Sequence, residues 1–169
     1  MQDAGESGEF SIDSSGRSWL VGAGVLSASI AVLHVAIIVS GPPAYVYFGA
    51  GDLAPAAAAG SPIPALLTAG LTIVFGVWSW YAFAGAGLVR RPPLLWLGLW
   101  VIGAIYAARG LAFVPEVAAL WWGSRPPPPR YLVFSLVALA TGLAYLIGTW
   151  RARATLRAAR GAASVAHKV

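Results

Sequence analysis

The sequence contains no cysteine among its 169 residues. This absence excludes disulfides, thiolate metal sites and the quinone-coupled dithiol chemistry that some four-helix membrane enzymes perform. Charge is also scarce, since only 10% of the residues are charged, against roughly 25% in an average soluble domain. With 59% apolar residues and a mean hydropathy of +0.74, the chain is predicted to be an integral membrane protein with little room for a folded soluble domain.

Four apolar runs are long enough to cross the hydrocarbon core of a bilayer, which takes about 20 helical residues. They cover residues 19–39, 65–88, 94–114 and 131–150. Runs this long and without alternation favour helices over strands, because backbone groups in lipid must be paired within the segment or in a closed barrel. The predicted fold is therefore an all-α membrane protein, with four transmembrane helices in an up-down bundle over residues 17–150.

Basic residues flank these runs unequally. Eight lie before the first run, between the second and third, or after the fourth: Arg17, Arg90, Arg91, Arg151, Arg153, Arg157, Arg160 and Lys168. The opposite side has two, Arg125 and Arg130, so the positive-inside rule predicts both termini in the cytoplasm. The first run is too long and follows too acidic a stretch for a signal peptide, so we expect it to be retained.

Both tails are predicted to lie outside the bundle. Residues 1–16 are polar and rich in glycine and serine, and we expect them to be disordered. Residues 151–169 form a basic tail that we expect to be partly helical. Its arginines are expected to contact anionic lipid headgroups, namely Arg151, Arg153, Arg157 and Arg160.

A single charge, Arg109, lies deep in one of the runs. Such a position points to a function, because inserting arginine at a helix centre costs roughly 2.5–3.5 kcal/mol. A rise of 1.5 Å per residue places one polar residue of each helix about 7–8 Å outward from the midplane. These are His34, Thr72, Arg109 and Ser135, with Tyr106 on the same face as Arg109 and with Asp52 and Glu116 in the outer segments. If they converge, the seven residues form a polar cup that faces the periplasm and suits an anionic ligand.

Other roles stay open for the same residues. Arg109 can extend to the outer interface or pair with Glu116. His34 can be a buried imidazole bonded to a hydroxyl or a carbonyl, and the two carboxylates of Asp52 and Glu116 can be ordinary solvated charges. The aromatic residues of segment 41–51 can anchor the chain at the interface or cover the cup as a lid.

The chemistry that these residues allow favours binding over catalysis. No paired acids, nucleophile with a base, phosphate loop or metal cluster appears at a usable spacing, so we expect no catalytic residue, no metal and no cofactor. The leading prediction is a protein that binds a lipid headgroup or a small anionic amphipathic ligand, or that serves as an accessory subunit. The alternative is a small proton-linked transporter or a channel-forming oligomer, in which His34 couples movement to protons.

The expected partners follow from the same features. Membrane lipids come first, followed by either another membrane protein or further copies of the chain. Nucleic acid is not expected, because the basic residues are confined to short flanking segments. A purely structural role, in which Arg109 pairs with Glu116, remains an equal alternative to any of the named activities.

Two stretches resemble a known group of proteins: residues 45–52 (YVYFGAGD) and residues 81–95 (YAFAGAGLVRRPPLL). They are similar to small, uncharacterised bacterial inner-membrane proteins with four predicted spans, over roughly residues 19–115. The resemblance implies a multi-pass protein of the bacterial inner membrane, and ten arginines against one lysine fit a GC-rich genome. A looser likeness to DoxX-like proteins rests on size and number of spans. Neither likeness implies functional residues.

Overall fold

The structure is a computed structural model and describes residues 14–123 and 128–166. All of the regular structure in these residues is helical. The elements are α1 (Ser14–Ser40), α2 (Pro42–Tyr47), a 3-10 turn (Gly51–Leu53), α3 (Ala54–Ala58), α4 (Ile63–Gly85), α5 (Leu95–Gly110), α6 (Phe113–Trp122) and α7 (Pro129–Ala166). Of the polar tail predicted at residues 1–16, the first 13 residues lie outside the described part of the chain.

Four segments are long and apolar enough to cross a membrane: Gly16–Ser40, Ile63–Gly85, Leu95–Trp122 and Pro129–Ala154. They confirm the prediction of an all-helical protein with four candidate membrane spans. The third segment has 28 residues, well above the roughly 20 that a bilayer requires, because it combines α5 and α6. Leu111 and Ala112 join these two helices in the right-handed helical conformation.

The joint between α5 and α6 is explained by Pro115. A proline inside a helix has no N–H to donate, and its ring crowds the carbonyl four residues earlier, which here belongs to Leu111. The backbone tightens at this point, where the Val114 amide donates to the Leu111 carbonyl at 3.0 Å. The third span nevertheless continues to Trp122, beyond the predicted residue 114, and carries Glu116 on helical backbone.

The four spans pack as a ring. Helix α1 lies along α4 and α7, α5 lies along α7, and a smaller contact between α4 and α5 closes the ring. At one end of the bundle, the side chains of Leu20 and Leu99 both lie against Gly85, and Leu20 also lies against Gly148. This end therefore brings together the beginnings of α1 and α5, the end of α4 and the last part of the apolar half of α7.

The segment between α1 and α4 packs across the other end. Tyr45 is buried, and its hydroxyl lies 3.4 Å from the hydroxyl of Thr68, whose own hydrogen goes to the Pro64 carbonyl at 2.8 Å. Phe48 stacks on Phe134 of α7 with ring centroids 5.6 Å apart. Arg130 of α7 donates from Nε to a backbone carbonyl of the same segment at 2.9 Å. The segment thus contacts both α4 and α7.

Candidate functional site

Arg109, Ser135 and Glu116 form a hydrogen-bonded chain that joins α5, α7 and α6. Nη1 of Arg109 donates to Oγ of Ser135 at 3.1 Å. The same hydroxyl donates to Oε1 of Glu116 at 2.9 Å. We call this arrangement the Arg–Ser–Glu chain. It links a cation and an anion through a hydroxyl that serves as acceptor for one and donor for the other.

The spacing of the two charges explains why both reach α7. Arg109 and Glu116 are seven residues apart, which is about two helical turns, so they share one face of the joined helices α5 and α6. Ser135 lies on α7 between them and is completely buried. Arg109 is in the last turn of α5, where the helix dipole stabilises a positive charge.

The exposed part of the Arg–Ser–Glu chain is the cation. Arg109 is exposed, and its bond to Ser135 uses one of the five N–H donors of the guanidinium. Glu116 is half-buried, and its Oε2 atom is buried without a hydrogen-bond partner. An anion can therefore reach Arg109, whose bond to Ser135 leaves further N–H donors of the guanidinium for it.

His34 and Thr72 lie outside this chain, and each is bonded within its own helix. Nδ1 of His34 lies 2.8 Å from the Ile30 carbonyl, so this nitrogen carries the proton in that bond. Thr72 donates to the Thr68 carbonyl at 3.0 Å. Such bonds to the carbonyl four residues earlier satisfy a polar side chain locally. The structure therefore gives these two residues no shared contact with Arg109.

Tyr106 belongs to a second, buried network. Its hydroxyl donates to Ser27 of α1 at 3.2 Å, and Ser27 lies 3.0 Å from the hydroxyl of Tyr145 on α7. Tyr145 donates to the Trp78 carbonyl of α4 at 2.8 Å. Because Tyr145 has one hydrogen and uses it there, Ser27 must donate to Tyr145. This hydroxyl chain has a single direction and joins all four spans.

Ser27 and Tyr145 are not among the residues predicted to form the polar cup. In the orientation predicted from the basic flanks, both lie in the cytoplasmic half of their helices, outside the predicted polar layer. A signal was available, because each is a hydroxyl at a depth where lipid offers no partner. Depth alone does not show that they meet, since the rotation of each helix about its axis is not encoded in its apolar composition.

The remaining candidate residues are apart from the Arg–Ser–Glu chain. Asp52 is exposed in the 3-10 turn, and the hydrogen bonds described for Arg109 and Glu116 do not involve it. The predicted headgroup arginines follow one another along α7. Arg151 and Arg153 are half-buried, whereas the side chains of Arg157 and Arg160 lie outside the described part of the structure.

Seven candidate ligand-binding residues thus divide into three groups. Arg109, Ser135 and Glu116 are joined, Tyr106 is bonded to the hydroxyl chain, and His34, Thr72 and Asp52 are separate. Between His34 and Tyr106 lies the ring of Phe75, at centroid distances of 4.9 Å and 6.1 Å. Across residues 14–123 and 128–166, no group of three or more acidic or histidine side chains is arranged to hold a metal ion.

Comparison of the chain with protein-family models, with curated proteins and with solved structures found no match.

We expect Ser135→Ala to lower the free energy of unfolding by about 1 kcal/mol. The substitution removes the acceptor of Arg109 and the donor of Glu116 while leaving the helix intact. Unfolding of the purified protein in mixed detergent micelles measures the change. Ser29→Ala, at an exposed position of α1, is the matched control because it carries the same gain in helix propensity. Equal effects of the two substitutions would show that the Arg–Ser–Glu chain contributes nothing to stability.

Proposed function

We propose that this chain is a bacterial inner-membrane protein that binds an anionic group at the periplasmic end of α5, α6 and α7. The group belongs to a lipid headgroup or to a small amphipathic molecule. The observation that carries the proposal is the exposed guanidinium of Arg109, held in place by Ser135 with donors left over. Charge-assisted bonds from such a fixed guanidinium are the stronger hydrogen bonds that proteins make.

An up-down arrangement with both termini in the cytoplasm supports the location of this site. The packing of Leu20 and Leu99 against Gly85, and of Leu20 against Gly148, gathers one end of each span, and the basic flanks adjoin these ends. The positive-inside rule assigns that end to the cytoplasm. Arg109 lies 14 residues beyond Leu95, about 21 Å along α5, and so about 9 Å short of the far side of a 30 Å core. Its long side chain can span much of that remaining distance.

The burial of Glu116 supports binding of an anion despite the nearby carboxylate. One oxygen of Glu116 is occupied by the Ser135 hydroxyl, and the other is buried. A ligand at the guanidinium contacts the positive charge directly, whereas the carboxylate lies beyond the Ser135 hydroxyl and is farther away, so attraction exceeds repulsion. In this proposal, Ser135 and Glu116 position the guanidinium and do not contact the ligand.

The test is lipid binding by the purified full-length chain. We expect it to bind phosphatidylglycerol in preference to phosphatidylcholine, and we expect Arg109→Gln to weaken phosphatidylglycerol binding about tenfold, as the loss of a charged hydrogen bond predicts. Arg130→Gln is the matched control, since it removes one cation from the same end. The Arg130 guanidinium is already stacked on Tyr47 at 4.9 Å and on Tyr131 at 5.2 Å. Equal losses in the two variants, or none, would overturn the proposal.

Further arms of the experiment separate the kinds of ligand and of function. Competition by octyl phosphate but not by inorganic phosphate would indicate an amphipathic ligand instead of a soluble anion. Proton-coupled flux in liposomes that His34→Gln abolishes would replace binding by the alternative, a proton-linked transporter. Stable copurification with a larger membrane complex would favour the role of accessory subunit.

A further inference from the structure

A groove of about 230 Å³ lies between α5 and α7, at the end of the bundle opposite the Arg–Ser–Glu chain. Its lining consists of Trp100 from α5 and of Trp150, Arg153 and Ala154 from α7. Trp150 is 63% exposed, whereas Trp100 and Arg153 are half-buried. We call this feature the tryptophan groove. Two indoles and a guanidinium in one groove combine an apolar wall with a fixed positive charge.

The residues of the groove are ordered by depth in the membrane. Trp100 lies five residues inside the beginning of the third span at Leu95, which is about 7.5 Å. Trp150 precedes Arg153 by three residues, which is about 4.5 Å along α7. Both indoles line the same groove and lie on the membrane side of Arg153, in the interfacial region that tryptophan favours.

This order matches the order of groups in a phospholipid. The phosphate lies at the membrane boundary, and the glycerol and the first methylenes lie just below it. We infer that the tryptophan groove binds one anionic phospholipid, with its phosphate at Arg153 and the upper part of an acyl chain along Trp100 and Trp150. Arginine suits the phosphate because its donors form a planar fork.

The size and charge of the groove favour this occupant. A groove of about 230 Å³, where one water needs roughly 10–15 Å³, has room for a phosphoglycerol unit and leaves the acyl tails in the bilayer. The adjoining stretch of α7 carries further arginines at positions 151, 157 and 160. Each basic residue near the surface adds attraction to anionic lipid, so the preferred headgroup carries a net negative charge.

The inference is independent of the site at Arg109. Trp100 precedes Arg109 by nine residues, or about 13.5 Å along α5, and Trp150 follows Ser135 by fifteen, or about 22.5 Å along α7. The two sites face opposite leaflets in the proposed orientation. Loss of one is expected to leave the other intact, so the failure of one proposal can be told from the failure of the other.

Native mass spectrometry of the full chain with added phosphatidylglycerol tests the groove by counting bound lipids. We expect Arg153→Gln to weaken one binding event about tenfold, as for the loss of a charged bond to phosphate. Trp100→Leu combined with Trp150→Leu is expected to weaken the same event severalfold while retaining the charge. The matched controls are Arg90→Gln, an exposed arginine outside the groove, and Trp122→Leu, an 85% exposed tryptophan at the other end. Both controls are expected to bind as the unmodified protein does.

Three results would overturn the inference. Equal losses in Arg153→Gln and Arg90→Gln would show attraction to general surface charge. Full competition by glycerol phosphate would show a site for soluble phosphate instead of a lipid. Unchanged binding in both Arg153→Gln and the double tryptophan variant would show that the groove holds no lipid. If Arg109→Gln alone then reduced the number of bound lipids, the proposed function would stand without the groove.

Discussion

Gly142→Ala is expected to lower the free energy of unfolding by about 3 kcal/mol, although it adds only one methyl group. A Cβ atom at position 142 of α7 would collide with the backbone nitrogen of Ala107 and would lie 2.9 Å from the carbonyl oxygen of Gly103. Both atoms belong to the backbone of α5, so no side-chain rotation relieves the overlap. The two helices must move apart, and in lipid close backbone approach is a main source of helix association.

Unfolding in mixed detergent micelles measures this cost. Gly76→Ala is the matched control in α4, because a Cβ there meets no atom within 4 Å. We expect this control to be neutral or to stabilise by up to about 1 kcal/mol, the helix propensity gained by alanine over glycine. Gly142→Ala should also weaken ligand binding at Arg109, since separation of α5 from α7 lengthens the bond to Ser135. A Gly142→Ala protein as stable as Gly76→Ala would show that α5 and α7 do not pack this closely.

The packing face of α7 could be predicted from sequence, but that of α5 could not. Small residues four positions apart predict a packing face at Ala138 and Gly142 of α7, and both are buried. On α5 the same spacing predicts a face at Ala104 and Ala108, but both are exposed, and the helix instead packs through Gly103 and Ala107. One residue corresponds to a rotation of about 100°. A helix that is apolar all round contains no signal that fixes this rotation.

The four spans were predictable because hydrocarbon thickness fixes their length. The second was expected over residues 65–88 and spans Ile63–Gly85. The third differs most, since the predicted run ends at residue 114, just before Pro115, whereas the span continues to Trp122. Proline is tolerated in the first turn of a helix, where no intrahelical acceptor is required, and Pro115 is the third residue of α6.

The depth of a polar residue in its helix was a useful guide to the candidate site. The expectation that all four residues at that depth converge was not. Arg109 and Ser135 were placed at one level and are bonded. His34 and Thr72 were placed at the same level, but short polar side chains can bond to a carbonyl of their own helix. A long guanidinium must instead reach an acceptor on another element. Depth alone therefore does not decide whether a polar residue of this layer bonds to another helix, as Ser135 does, or to its own, as Thr72 does.

Tyr145→Phe is expected to destabilise the protein by about 2 kcal/mol, the second-largest effect that we predict. Tyr145 is fully buried and occupies the centre of the hydroxyl chain. Removing its hydroxyl takes the acceptor from buried Ser27, whose hydrogen is left without a partner, and takes a second donor from the Trp78 carbonyl, which keeps its bond within α4. A buried polar group without a partner costs more than the net worth of the bond it made.

The direction of the hydroxyl chain also predicts which of its tyrosines is the more costly to replace. Tyr106 is the terminal donor, so Tyr106→Phe removes a single bond and leaves no hydrogen without an acceptor, at an expected cost of about 0.6 kcal/mol for an interhelical bond in a membrane protein. Tyr81→Phe, which loses a bond to the Pro93 carbonyl near the surface, is the matched control and should cost less.

In a Ser27→Ala background, Tyr145→Phe should cost less stability than it does alone, because the Ser27 hydrogen that would lose its acceptor is absent. If Tyr106→Phe is instead as costly as Tyr145→Phe, the donors do not run from α5 through α1 to α7, and the order inferred for the network is wrong.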